Sequence, residues 1–439
     1  MSDDSAQKQD EVDILKLSAQ YDMGDPETAR KVLQQIQASG LTASSLGQLY
    51  IERLAQISAG TNPQSSTCPQ DESHNAADGI VGDASENHNS DGKPSLEKNS
   101  SSQANAPKTD GNSSVVTDTM QKFANKINAI AGGEGNVELR VRDLFKDVFK
   151  RHTTEEAEKI FICGTESTTP ATKDISSNWP APWLYSRVAI YLFVAFLILK
   201  YAWSLTENPL LLPNIMFIGA CIVPFSIMIF FFETNVPQNI SIFKVVLIFF
   251  VGGCASLLCT LILFEIVPDG ILSFFGATMI GIVEETGKML IVAFFISRMR
   301  DCVYILNGML VGSAVGAGFA AFESAGYAFS FFANNGYAAM TDTINIRALT
   351  APGGHIVWAA TAGAAIMIAM RGQKFEWGVI RNVRFLRLFI LPIILHATWD
   401  MPIGNTALKY PILIAISWII ILVLLYVGLK EVQKQSSIS

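Results

Sequence analysis

The pattern of apolar positions changes at Trp183. Beyond it, apolar residues run in blocks near 184–204, 211–232, 242–264, 271–297, 303–332, 354–370, 386–406 and 411–429, each long enough for a helix to cross about 30 Å of hydrocarbon. Before it, the pattern is amphipathic or absent. Residues 9–58 predict helices, with Asp25–Pro26 as N-cap and first-turn proline, Gly40 ending the helix Glu27–Ser39, and a second helix over Ala43–Ala59. Gly60–Ser114 is rich in Ser, Asn, Asp and Gly and too poor in apolar surface to offset its chain entropy, which predicts a disordered linker. Helical periodicity returns over 115–163, where Thr153 and Glu156 have capping-box spacing. Within it, Leu139, Val141, Leu144, Phe145, Val148 and Phe149 stand against Arg140, Arg142, Lys146, Lys150 and Arg151, a face suited equally to a membrane surface or to a small helical domain. The pattern predicts an all-α polytopic membrane protein. Its parts are a helical cytoplasmic segment (1–59), the linker (60–114), an amphipathic juxtamembrane segment (115–180), about eight transmembrane helices (181–430) and a cytoplasmic tail (431–439).

Charge sharpens the division. Residues 1–180 hold 27 acids and 17 bases, and residues 181–439 hold 12 acids and 15 bases, so an acidic soluble half joins a membrane half. No basic face suggests nucleic acid. The start, MSDDSAQKQDEVD, lacks the order of a signal peptide, so the first span is expected to serve as the membrane signal. The six cysteines are scattered without CxxC spacing and predict neither a disulfide framework nor a zinc knuckle. With the N-terminus inside, the inner loops and tail collect Lys244, Arg298, Arg300, Arg371, Lys374, Arg381, Arg384, Arg387, Lys430 and Lys434, against Arg347 and Lys409 outside. That asymmetry favours eight spans with both termini cytoplasmic.

Ionisable residues inside the spans carry the chemistry. Glu284 and Lys288 share a helix face, and Glu285 also reaches Lys288. A charge at the bilayer centre costs roughly 2.5–3.5 kcal/mol on insertion scales, so three together need a reason. Glu323 lies in the fifth span, His355 at the entry of the sixth near the outer mouth, and His396 with Asp400, one helical turn apart, in the seventh. Singly, each has a packing explanation, as an ion pair or a cap. Together, three glutamates, two histidines and an aspartate on four consecutive spans predict one polar cavity opening toward the outer face. The stripe Gly308, Gly312, Gly316, Ala320, Ser324 predicts close approach of another helix.

These residues also carry a resemblance. EETGK (Glu284–Lys288) resembles the EExxK motif, FAAFE (Phe319–Glu323) the FxxxE motif and HATWD (His396–Asp400) the HxxxD motif of PrsW-type intramembrane proteases, and GGHIVWAA around His355 resembles a further segment of that family. PrsW proteins are similar to the CAAX prenyl proteases, whose second motif has histidine where this chain has Glu323, which argues against a prenyl-protein substrate. The resemblance implies an intramembrane endopeptidase of the bacterial plasma membrane that cuts a membrane-anchored protein near the outer face, such as an anti-sigma factor, in contact with membrane lipid. Glu284, Glu285, Glu323 and His396 are the expected catalytic residues, supported by Lys288, His355, Asp400 and Phe319. Which glutamate acts as base for water stays open. Glu284, Glu323, His355 and His396 are also possible zinc ligands, and a metal-free mechanism can equally be written. Asp400 is the expected holder of the His396 imidazole. The soluble N-terminal region suits a cytoplasmic partner. The alternatives are an ion- or proton-coupled transporter using the same buried groups and, less favoured, an inactive membrane scaffold.

Overall fold

A computed structural model describes residues 111–266 and 274–437, which belong to the second of two units, Met1–Gln103 and Ala104–Ser439, into which the chain separates. The helices expected before residue 60, and all but the last four residues of the expected linker, lie outside the described residues. Within them the regular structure is entirely helical, with no strand.

Among the described residues three α-helices precede the apolar blocks: α1 (Gly111–Ala131), α2 (Val141–Phe145) and α3 (Thr154–Phe161). In the capping box of α3, Glu156 N–H donates to Thr153 Oγ1 (3.2 Å) and Thr153 N–H donates to Glu156 Oε2 (3.1 Å). The Thr153 amide, with His152 beside it, holds the Glu156 carboxyl below its ordinary range. Ala124, Ile127 and Leu144 share one hydrophobic core with the helices that follow.

A helix then stands in each apolar block: α4 (Leu184–Thr206), α5 (Leu212–Thr234), α6 (Ile242–Ile266), α7 (Phe274–Arg298), α8 (Ile305–Thr350), α9 (His355–Met370), α10 (Val383–Asp400) and α11 (Thr406–Ser436). Among the described residues, five stretches are long and apolar enough to cross a membrane, not the expected eight: Leu184–Thr206, Pro209–Thr234, Ile242–Ile266, Ile305–Met370 and Thr406–Ser436. The difference has a chemical cause. α7 carries Glu284, Glu285 and Lys288, α10 carries Arg384, Arg387 and Asp400, and α8 and α9 run together as one stretch.

α8 departs from expectation in a second way. Instead of a loop after residue 332, the helix continues to Gly336, breaks there at φ 79° and ψ −172°, and resumes to Thr350. Arg347 in the second arm contacts Glu323 in the first. On a straight helix these two would stand about 36 Å apart, so the chain reverses at Gly336 and α8 is a hairpin. Its conformation at that glycine is essentially closed to residues with a Cβ. Trp203 of α4 stacks on Tyr337 (ring centroids 4.9 Å apart), and Phe196, Ile215, Ala328, Met340 and Ile344 form a small core that holds both arms against α4 and α5.

Small residues set the helix spacing. A Cβ at Gly308, Gly312 or Gly316 would run into the backbone of Gly363, Ala359 or His355, so the expected stripe is where α8 meets α9. Gly281 likewise brings α7 onto the backbone of Ala397 in α10. Two carboxylates cap helices from a distance. Glu233 accepts the backbone N–H groups of Trp183, Leu184 and Tyr185 (2.8–2.9 Å) at the start of α4, and Glu431 accepts that of Ile305 (2.7 Å) at the start of α8.

Candidate active site

Four helices deliver the ionisable side chains expected from sequence to one place. Glu284, Glu323, His355, His396 and Asp400 line a single cavity of about 200 Å³, with Trp358, Trp399, Tyr327 and Arg347. Glu285 and Lys288 are fully buried on α7. Phe319 closes the Lys288 side, its ring 4.3 Å from the ammonium. His355 is packed among the other site residues, and the second arm of α8 leads the chain to it.

The hydrogen bonds give each imidazole an orientation. His396 Nδ1 donates to Glu285 Oε1 (2.8 Å), which also receives Lys288 Nζ at 2.8 Å. The ring is stacked on Trp358 (4.7 Å between centroids), whose indole N–H donates to Ser417 Oγ of α11 (3.2 Å). His396 thus meets Glu285 at Nδ1 and Asp400, the expected holder, at Nε2 (3.3 Å). Lys288 Nζ donates to His355 Nδ1 (2.7 Å), which puts the His355 proton on Nε2, facing Glu323 Oε2 at 3.1 Å.

Arg347 is the residue that sequence reading misplaced. Assigned there to an outer loop, it lies in the cavity, where it pairs with Glu323, donates from Nε to Ser324 Oγ (2.7 Å) and rests 4.7 Å from the Tyr327 ring. Its only sequence signal is being one of two basic residues in the outer segments.

Whether the donors suit a metal can be tested on geometry. Glu284, His355 and His396 each offer a ligand atom within 4.8 Å of the others. Glu284 Oε2 is 3.7 Å from His396 Nε2 and 3.9 Å from His355 Nδ1. Ligand atoms around a tetrahedral zinc stand about 3.4 Å apart, so both Glu284 distances lie within about half an ångström of that spacing. His396 Nε2 faces two carboxylates, Glu284 and Asp400, an arrangement that calls for a proton or a cation between them. The buried Glu285 Oε2 has no hydrogen-bond partner. With neutral imidazoles, the carboxylates of Glu284, Glu285, Glu323 and Asp400 outnumber Lys288 and Arg347 by two charges, the charge of one divalent ion. The residues fit. The one contest is at His355 Nδ1, where Lys288 would have to yield and retain Glu285. Glu323, counted from sequence among the possible ligands, lies outside the triad because Arg347 and His355 occupy its carboxylate.

Residues 241–427 match the family model described as PrsW family intramembrane metalloprotease. The chain carries a PrsW-type protease domain. The matched stretch runs from the start of α6 into α11 and contains every helix of the cavity, so this part of the chain is a membrane-embedded protease domain. Searches of curated proteins and of solved structures find no match.

Proposed function

We propose that this PrsW-type protease hydrolyses a peptide bond of a membrane-anchored protein near the outer face of a bacterial plasma membrane, with eight crossings and both termini cytoplasmic. An anti-sigma factor or similar signalling protein is the substrate class. The observation that supports this most is the meeting of Glu284, His355 and His396 in one cavity built from α7–α10.

In the metal-free form of this reading Glu284, which lines the cavity, accepts the proton of the attacking water, and in either form Glu285 orients His396 from behind. Glu284, His355 and His396 are the residues that would hold a zinc ion. When bound, zinc would polarise the scissile carbonyl and lower the pKa of water toward about 7. Arg347 uses two of its five N–H donors on Ser324 and Glu323, leaving others for a substrate carbonyl in the cavity. Lys288, tied to Glu285 and out of the cavity, balances charge. Trp358 and Trp399 form an apolar wall that keeps bulk water from the reacting carbonyl.

The test uses purified full-length protein in lipid nanodiscs with a library of tagged single-pass substrates. Wild type is expected to cleave at a site near the outer end of the substrate span. Glu284→Gln and His396→Ala should each remove cleavage, and chelation should remove it reversibly. Cleavage that survives both substitutions sinks the site; ion flux without proteolysis favours transport.

A further inference from the structure

Residues 141–151 hold an apolar face that internal packing does not use. Leu144 and Val148 point inward and are buried, whereas Val141, Phe145 and Phe149, four residues apart, are 40%, 50% and 92% exposed. The segment thus has two apolar faces, only one of which is covered among the described residues. Arg142, Lys146, Lys150 and Arg151 surround the exposed one, while Asp143 and Asp147 are half-buried and Asp147 pairs with Lys150. Five bases against two acids over residues 140–151 leave a net charge of +3.

The height of this face is fixed by the membrane helix beside it. Arg187, in the first turn of α4, donates from Nη2 to the carbonyls of Val148 and Lys150 (3.0 Å each), and His152 stacks flat on Trp183 with ring centroids 3.7 Å apart. One turn further along α4, Ile190, Tyr191, Phe193 and Val194 are exposed, as in a helix facing lipid. Residues 148–152 are therefore fixed beside the first turn of α4.

We infer that residues 141–151 are a lipid-surface anchor: Val141, Phe145 and Phe149 insert at the headgroup boundary of an anionic bilayer, and Arg142, Lys146, Lys150 and Arg151 neutralise its phosphates. The occupant is lipid and not protein because the face is basic and is held beside the first turn of α4, a helix whose exposed side chains are apolar. Aromatic side chains flanked by bases suit the interface between hydrocarbon and water. This inference does not depend on the proteolytic reading.

The test uses full-length protein in nanodiscs of neutral phosphatidylcholine, with and without anionic phosphatidylglycerol. An environment-sensitive fluorophore is attached at Phe149→Cys, or at Val141→Cys should the first variant fold poorly, with Cys68, Cys254 and Cys259 replaced by alanine. In anionic discs the label is expected to be quenched by nitroxides carried near the lipid headgroup and shielded from aqueous acrylamide. Each basic side chain replaced by glutamine, at Lys146 or Arg151, should lower the inserted fraction, with a contribution of roughly fivefold per charge at an anionic surface. Free access of acrylamide in anionic discs overturns the inference. So does protection from both quenchers, which would mean a protein cover such as residues 1–110 or a second copy.

Discussion

Glu284 and Glu285 are neighbours whose side chains leave α7 about 100° apart, and this rotation gives them different environments. Glu284 faces the cavity; Glu285 turns toward Lys288 and His396 with no exposure. Glu284→Gln is expected to lower kcat by about 10²–10⁴ with a smaller change in Tm than Glu285→Gln, since Lys288, 3.5 Å from Glu284, keeps the closer Glu285. Glu285→Gln leaves Lys288 without its nearest carboxylate, and breaking such a buried pair costs about 3–5 kcal/mol. It should therefore show mainly as a lower Tm. Kinetics and thermal unfolding of the two variants together check the division, and equal Tm values refute it. Arg347→Lys keeps the charge and loses the fork that spans Ser324 and Glu323, so cleavage should fall by about 10² while substrate binding changes less. A KM that rises alone would show that Arg347 only binds. Of these residues, the glutamates, histidines and Asp400 were legible in the sequence because charge in an apolar block is costly. Arg347 was not, because a lone base between two blocks reads as a loop, and its partner lies 24 positions away.

The hairpin of α8 is the element that builds the cavity wall. Its turn rests on Gly336, around which a Cβ would meet no neighbouring atom, so any penalty for a side chain is one of backbone conformation. Gly336→Ala should cost about 1–3 kcal/mol, and Asn should not rescue it, because the conformation lies outside the left-handed helical region that Asn tolerates. Activity should fall with Tm, since the second arm carries Arg347. Unchanged Tm and activity in both variants would deny the turn its role. Glu233 does comparable work at α4, where it satisfies three backbone N–H groups. Glu233→Ala is expected to lower stability by about 1–3 kcal/mol, read by thermal unfolding, with kcat per folded molecule unchanged. The sequence showed where helices run because apolar length and the α3 capping box are local. It could not show the hairpin or the two carboxylate caps, whose partners lie about 50 and 126 residues away.

At the scale of the whole molecule, the site residues share one level. From the helix ends Arg298, Ile305, Met370 and Val383, which the connections between α7 and α8 and between α9 and α10 place on one side, Glu284, Glu323, His355 and His396 lie about 20–27 Å along their axes. In hydrocarbon about 30 Å thick that is the outer third, provided those ends face the cytoplasm. The charges favour this orientation more than the sequence count implied. Of the two outer bases, Arg347 is inside the cavity and Lys409 donates to the carbonyls of Trp399 and Met401 at the end of α10 (2.7 and 2.9 Å). Cysteines at Asn335, exposed beside the hairpin turn, and at Gln373, in the connection after α9, test it. With Cys68 replaced, native thiols should stay silent. Burial pushes Cys163 up to about 11 and Cys302 up to about 12, and Cys254 lies within an apolar span. A membrane-impermeant maleimide should label Asn335→Cys from outside intact cells and Gln373→Cys only in inverted vesicles. Labelling of both from one side breaks the eight-span arrangement and removes the reason for placing cleavage near the outer face. Opposite-side labelling with the sides exchanged would keep the helices and move the cleaved bond toward the cytoplasmic side.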